Sequence, residues 1–436
     1  MQGYIKEFDC TCGKRHVSTV EDIIVERGAI ARVPEFVKKY GGKKPFIIAD
    51  KNTFKACGEA VLQTLKKADI PYESFIFNKD VIKPEEQAIG SLVMHFNRSC
   101  DIIIAVGSGV INDVSKVLAS LVRLPYIVVA TAPSMDGYAS ATSSVNLDGR
   151  KISLPTKCAD VIIGDLNVLK NAPKKMMLSG LGDMLAKIIS ICEWRLANLI
   201  VGEYYCERIA SLIRNAVKQC IDNADGLLKG DEKAVEAVFN GLVMGGVAMA
   251  YAENSRPASG VEHYFSHVWD MRALEFNTPY ELHGLQCAVG TLYAIKIYEQ
   301  LVNMTPNEEK ALSYVKAFDQ KKNELELKNF LGKGAETLIE QDKKERKADA
   351  KKHEERIKII CSKWQEILAI IREELISSKS LIALMDKLKM PKTCEDLGID
   401  KSTLRQTFFT TKEIRDKYVL SRLCWDLGVL EEVEIK

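Results

Sequence analysis

Between residues 44 and 133 the chain repeatedly sets a short β-branched run beside a helix-forming stretch: KPFIIAD, a helix from about Thr53, YESFIF, a helix from about Lys83, then CDIIIAVGSG. Alternation of this kind predicts a parallel sheet wrapped by helices. VINDVSKVLASLV continues as a helix, and PYIVVATAPS adds a further strand that runs into a polar loop. These strands are apolar throughout rather than at every second residue, as expected where helices cover both faces of a sheet.

After about residue 172 the texture changes. MMLSGLGDMLAKIISICEWRLAN, GLVMGGVAMAYAEN and LQCAVGTLYAIKIYEQL read as long amphipathic helices, and strand signals nearly vanish. A boundary near Pro173 is therefore expected, with an α/β domain over residues 1–172 and an all-α domain over 173–436. The active site is expected in the cleft between the halves, where ligand sites often form. Residues from about 320 to 356 alternate acid and base, which points to a solvated helix rather than a nucleic-acid arm.

Composition narrows the partners. The 61 basic and 59 acidic side chains leave a formal net charge of +2, so no overall field gathers nucleic acid or anionic lipid. No apolar run reaches the length of about 20 residues that crosses a bilayer, and MQGYIKEFDCTCGK lacks the apolar core of a signal peptide. A cytoplasmic protein without membrane insertion is expected. Twelve cysteines, several inside apolar patterns (Cys57, Cys192, Cys206, Cys220, Cys287), suggest reduced, buried thiols. Cys10 and Cys12 with His16 could hold a metal, but Cys-x-Cys is poorer geometry than Cys-x-x-Cys and no second pair follows, so a plain turn is the expectation.

Three groups of residues suggest chemistry. Gly107, Ser108 and Gly109 end a buried strand and open a helix, where unobstructed backbone amides can meet a pyrophosphate; a tight turn that binds nothing has the same sequence. A standard dinucleotide fingerprint would need a third glycine where Asn112 stands, and its ribose acid would follow rather than precede the glycines, as Asp50 does here. The loop from Thr131 through Ser134 and Asp136 to Ser140 leaves the carboxyl end of the next strand, where open α/β sheets present ligand-binding groups, although an ordinary turn uses the same residue types. The third group is Asp183 with His263 and His283, one carboxylate and two imidazoles that would leave open positions on a divalent metal. Isolated histidines often satisfy only local hydrogen bonds, but an acid inside the apolar GLGDMLAKIISI is costly to bury without a partner. His267 lies one turn from His263.

VGSGVINDVSK, TAPSMDGYASATSS, SGLGDMLAK, SRPASGVEH and LHG, in this order, resemble the glycerol-1-phosphate dehydrogenases, particularly the longer, AraM-like bacterial branch. That family lies within the superfamily of dehydroquinate synthase-like and iron-containing alcohol dehydrogenase-like enzymes. The resemblance covers residues from about 20 to 300 and implies a dehydroquinate synthase-like fold. It further implies a metal bound by Asp183, His263 and His283, and a dinucleotide, NAD(H) or NADP(H), held by Gly107, Ser108, Gly109, Asp113, Thr131 and Ser134. Asp136 and Ser140 would sit between nicotinamide and substrate. The implied activity is the reversible reduction of dihydroxyacetone phosphate to glycerol 1-phosphate, a step of phospholipid metabolism, in a homo-oligomer with a dimer favoured.

On that reading His267 is the candidate proton relay, because an imidazole titrates near neutrality. Arg256 is the first candidate for the substrate phosphate and Lys187 the second, with a plain salt bridge equally open for Arg256. Asp50 favours NAD over NADP, and Lys51 softens that preference. Two imidazoles and a carboxylate suit zinc, nickel or iron. Two rivals share the fold: a polyol dehydrogenase acting on glycerol, and a carbon–oxygen lyase like dehydroquinate synthase. The second would carry a glutamate where this chain has Asp183 and additional lysines near the substrate.

Overall fold

The computed structural model describes residues 4–79, 81–148 and 150–436. The opening residues of the MQGYIKEFDCTCGK stretch, 1–3, lie outside it. Ten strands occur among the described residues: β1 (Glu7–Asp9), β2 (Arg15–Val17), β3 (Asp22–Glu26), β4 (Pro45–Asp50), β5 (Glu73–Phe77), β6 (Ile102–Gly107), β7 (Tyr126–Ala130), β8 (Thr142–Leu147), β9 (Arg150–Pro155) and β10 (Val161–Asp165). Six form one all-parallel sheet in the order β3-β10-β7-β6-β4-β5. The four strands read from the sequence are β4 to β7. The two added ones, DIIVE and VIIGD, are five-residue runs that carry charged termini and so gave weak signals.

Burial follows the pleat. Ile47, Ile104, Val129 and Ile163 point to one face and pack with Val33, Phe36 and Val37 of the helix Val33–Lys39 and with Val61 and Leu65 of the helix Glu59–Lys67. The helix Gly109–Val122 packs against β4, β6 and β7. Helices thus flank the sheet, as the unbroken apolar strands require.

The chain divides into two compact units, residues 1–184 with 211–254, and residues 185–210 with 255–436. The single boundary expected near Pro173 is corrected by this division, which falls inside the long helix Lys174–Val201. The reason is packing. Phe239, on the helix Glu232–Ala252, presses on Gly164 of β10, where a Cβ would stand 2.3 Å from its ring. Gly246 of the same helix leaves equally little room beside Ala139. That helix is long and apolar enough to cross a membrane, with a mean hydropathy of 1.4, but 72% of its apolar stretch is buried inside the protein, as befits a core helix.

The second unit contains helices and no strand among the described residues. Its stretch 320–356 is three helices rather than one, Gln320–Leu331, Ala335–Glu345 and Ala350–Ser362. Gly332 and Arg346 terminate the first two with positive φ, and Leu331, Leu338, Ile357 and Ile360 bury an apolar side beneath the charges.

Two glycines of the first unit make opposite predictions. A Cβ on Gly180 would fall 1.9 Å from the Pro133 carbonyl oxygen, whereas one on Gly90, inside the helix Glu86–His95, meets nothing within 4 Å. Gly180→Ala is expected to destabilise the protein by about 1–3 kcal/mol and Gly90→Ala to stabilise it by up to about 1 kcal/mol. Thermal unfolding of the two variants beside the parent checks both signs.

Candidate functional site

The strand order places one group of candidates. From β4 the chain moves outward to β5, then returns past β4 to β6 and on to β7, so the order reverses between β4 and β6. The crevice outside the carboxyl ends at such a reversal is where open α/β sheets bind ligands. Asp50 ends β4 on one side of it and Gly107 ends β6 on the other.

Asp50 caps the following helix, Oδ1 accepting from the amides of Asn52 and Thr53 at 2.8 Å each, while Thr53 Oγ1 accepts from the Asp50 amide. Gly107 is fixed by crowding, since a Cβ there would lie 2.4 Å from Ile111 Cβ. Gly109 is less constrained: its Cβ would meet Met135 at an ordinary 3.4 Å. Ser108 directly precedes the helix Gly109–Val122, and its hydroxyl, instead of capping that helix, lies 2.5 Å from that of Ser134, across the adjacent strand ends. The Thr131 amide donates to the Gly107 carbonyl, which joins the loop to the glycine turn.

The loop after β7 is pinned from the glycine helix. Asn112 donates to the Gly137 carbonyl at 3.1 Å, and the buried Lys116 ammonium reaches the carbonyls of Gly137, Ser140 and Thr142. Asn112, standing where the usual fingerprint has glycine, is therefore a loop anchor. Asp113 holds Lys116 at 3.1 Å and accepts from the Ser144 amide. Burial raises its carboxyl, with Lys116 opposing. In this structure Asp113 secures the β8–β9 hairpin. Ser140 makes a local turn, its hydroxyl accepting from the Thr142 amide. Ser179 donates to the Ser134 carbonyl, and Asp183 Oδ2, fully buried, accepts from the Asp136 amide at 3.0 Å.

The second unit holds the histidines. His263 lies in the first turn of the helix Val261–Phe276, and His283 is the first residue of the helix His283–Leu301. The helices pack closely because Gly290 has no side chain; a Cβ there would stand 2.7 Å from the Glu262 carbonyl oxygen. The His263 and His283 rings are 5.1 Å apart, and His267 stacks on His283 at 6.1 Å. Ligand atoms of His263, His283 and Cys287 all fall within 4.8 Å of one another.

Neighbours assign the tautomers. His263 Nδ1 lies 2.7 Å from Glu262 Oε1 and donates to it. Ser266 gives its proton to Gln286 at 2.7 Å, so it accepts from His283 Nδ1 at 2.8 Å. Both lone pairs then fall on Nε2, the arrangement a metal-binding imidazole needs, with a carboxylate behind one ring and a hydroxyl behind the other. The donor set therefore fits a divalent metal. Burial would raise the Cys287 thiol, but the two imidazoles outweigh it and hold the group below its usual range.

Behind this cluster lies a buried charged floor. Glu193 accepts from the amides of Val261 and Leu420, at 3.0 and 2.8 Å. Burial and the neighbouring Glu262 push it up to about 8. Both carboxylates crowd Gly260, where a Cβ would lie 2.6 Å from Glu193 Oε2 and 2.7 Å from Glu262 Oε2. Lys187, one helical turn after Asp183, points its ammonium at the Ala258 carbonyl (3.5 Å), and Lys417 donates to the next carbonyl, Ser259, at 2.8 Å. Burial, with Arg256 and Arg415 nearby, drives Lys417 well below an ordinary lysine.

Arg256 is 1% exposed; its Nε donates to Glu203 at 2.7 Å and its Nη1 to the Tyr418 carbonyl at 2.9 Å. This is the salt-bridging alternative that the sequence left open, and it braces the loop 255–260. Lys116, Glu193, Glu262 and Lys417 were not singled out from the sequence, and Asn112 only as a departure from the glycine fingerprint. Glu262, adjacent to a candidate ligand in VEH, and Lys116, a cation inside the apolar VSKVLASLV, were the available signals.

The chain is similar in sequence and in fold to known proteins. The family of iron-containing alcohol dehydrogenases matches residues 24–173. A glycerol-1-phosphate dehydrogenase (NAD(P)+) of Bacillus velezensis is 33% identical over 315 residues, covering 70% of this chain and 80% of the relative. The corresponding enzyme of Bacillus licheniformis is 32% identical over 316 residues, covering 72% and 79%. Among solved structures, a glycerol dehydrogenase from Schizosaccharomyces pombe superposes with a TM-score of 0.62 at 16% identity, over 98% of this chain and 92% of that one, which shows the shared fold.

If Glu262 orients His263, Glu262→Gln should weaken metal affinity by about 10–100-fold without loss of helix content. Chelator competition for bound zinc, with circular dichroism as the control, measures it.

Proposed function

The chain belongs to the family of glycerol-1-phosphate dehydrogenases, and from that premise we propose that it reduces dihydroxyacetone phosphate reversibly to glycerol 1-phosphate with NADH or NADPH. The observation that carries the reading within this chain is the pair of imidazoles, His263 and His283, whose proton-bearing nitrogens are both engaged so that each Nε2 can serve as a ligand.

Asp183 would complete the metal set with His263 and His283. When bound, the dinucleotide supplies the hydride, and the divalent metal, zinc, nickel or iron, supplies Lewis-acid polarisation of the C2 oxygen. The chain's own groups do the rest. Amides opened by Gly107, Ser108 and Gly109 face the pyrophosphate, with Thr131 and Ser134 beside them and Asp113 keeping the adjoining hairpin in place. Asp50, at the other side of the strand reversal, accepts from a ribose hydroxyl and disfavours a 2′-phosphate.

Asp136 and Ser140 lie on the pinned loop that orients nicotinamide against substrate. His267 holds the proton that the C2 oxygen gains on reduction and takes back on oxidation. Lys187 and Lys417, converging on successive carbonyls, would hold the substrate phosphate, while Arg256 keeps their loop in shape. We further propose a cytoplasmic enzyme, active as a homodimer, that neither inserts into membranes nor binds nucleic acid.

The polyol dehydrogenase rival shares the metal set but has no substrate phosphate for Lys187 and Lys417 to hold. Nicotinamide oxidation with dihydroxyacetone phosphate, using protein stripped of metal and reconstituted with zinc, nickel or iron in turn, is expected to show metal-dependent turnover that dihydroxyacetone does not support. The reverse preference would move the chain to the polyol dehydrogenases. His263→Ala is expected to abolish metal binding at the catalytic centre, and turnover with it, and leave dinucleotide binding within about twofold; full activity in that variant would remove the metal mechanism. Lys187→Ala should raise KM for the phosphorylated ketone by about tenfold or more. An unchanged KM would reassign the phosphate.

A further inference from the structure

The N-terminal hairpin carries a second set of metal-type donors, independent of the proposed catalytic centre. β1 and β2 pair antiparallel, Phe8 opposite His16, and the five residues Cys10 to Lys14 turn between them. The Cys10 amide donates to the Lys14 carbonyl at 3.1 Å and the Gly13 amide to the Cys10 carbonyl at 3.0 Å; Gly13, with φ +86°, takes a conformation that suits glycine. The turn folds both thiols back toward the return strand. Ligand atoms of Cys10, Cys12 and His16 lie within 4.8 Å of one another.

The imidazole is oriented as a ligand. His16 is fully buried, its ring 5.0 Å from that of Phe8 and 6.2 Å from that of Tyr251. Nδ1 lies 2.8 Å from the Tyr251 carbonyl oxygen, which can only accept, so Nδ1 carries the proton of the neutral ring. The lone pair falls on Nε2, 3.3 Å from Cys12 Sγ. Around a tetrahedral zinc, with Zn–S of about 2.3 Å and Zn–N of about 2.05 Å, sulfur and nitrogen ligands stand about 3.6 Å apart and two sulfurs about 3.8 Å. A backbone carbonyl behind the distal nitrogen is the usual second partner of a zinc-bound histidine.

The sequence favoured a plain turn over a metal site here; the fold adds that His16, on the return strand, brings its Nε2 to 3.3 Å from Cys12 Sγ. Nine of the twelve cysteines are buried; Cys10 and Cys12 are among the three that are not. We propose that Cys10, Cys12 and His16 bind a thiophilic divalent cation, zinc by donor type, which ties the N-terminal hairpin through His16 to the helix Glu232–Ala252.

The test uses the full chain. Elemental analysis of the purified protein should find one more equivalent of zinc than in the Cys10→Ser/Cys12→Ser double variant. X-ray absorption at the zinc edge of His263→Ala should count at least two sulfurs and one imidazole nitrogen. In cobalt-substituted protein a near-ultraviolet thiolate-to-cobalt band should persist in Cys287→Ser and vanish in the double variant. Should the double variant fail to fold, alkylation of the parent protein decides: Cys10 and Cys12, located by peptide mass, should react at least about tenfold more slowly with zinc than after chelation. Equal alkylation rates, or equal zinc content in parent and double variant, would overturn the site. Because the hairpin ligands are read by sulfur content and thiol protection, this result is separable from loss of dehydrogenase activity.

Discussion

A carboxyl group removed from water must be bonded or protonated, and that constraint organises the helical unit. Glu193 meets it by accepting the amides of Val261 and Leu420, and Glu262 by bonding the Gly260 amide and the His263 ring. Each bond fixes something else. The amides of residues 260 and 261 set the start of the histidine helix, the His263 bond sets a tautomer, and the Leu420 bond recruits the C-terminal segment. Gly260 is the condition for all of this, since any side chain there would displace both carboxylates.

The C-terminal residues, which carry no recognisable motif, gain a physical account from the same network. Lys417 caps the Ser259 carbonyl, the Tyr418 carbonyl receives Arg256, and Leu420 satisfies Glu193, while Phe408 stacks on Phe265 at 5.9 Å. The region after residue 320 therefore closes the floor beneath the loop 255–260. Two of these contacts run through backbone groups, the Tyr418 carbonyl and the Leu420 amide, which leave no mark on residue identity.

That distinction explains what was readable in advance. The strands β4 to β7 were legible because burial on both faces demands unbroken apolar runs, and the glycine turn because Gly107 has no room for a side chain. The hairpin β8–β9 was missed because its strands are largely polar and rest on Asp113 and Lys116. The noncontiguous units could not be read from periodicity, since the helix Glu232–Ala252 looks like its neighbours until Phe239 is seated on Gly164. Arg256 carried a charge suited to a phosphate or to a salt bridge, and only the fold brings Glu203, 53 residues earlier, to 2.7 Å from it.

The loop between Thr131 and Thr142 is held from two directions, by Lys116 and Asn112 through its carbonyls and by Gly180 and Ser179 against Pro133 and Ser134. A segment so restrained has already lost its conformational entropy when the chain folds. A dinucleotide that docks there has no disordered loop to immobilise, and the free energy of its contacts is expressed almost wholly as affinity. The same restraint removes induced closure of this loop as a means of discriminating between ligands, so selectivity on this side of the sheet rests on the fixed shape and charge of the crevice.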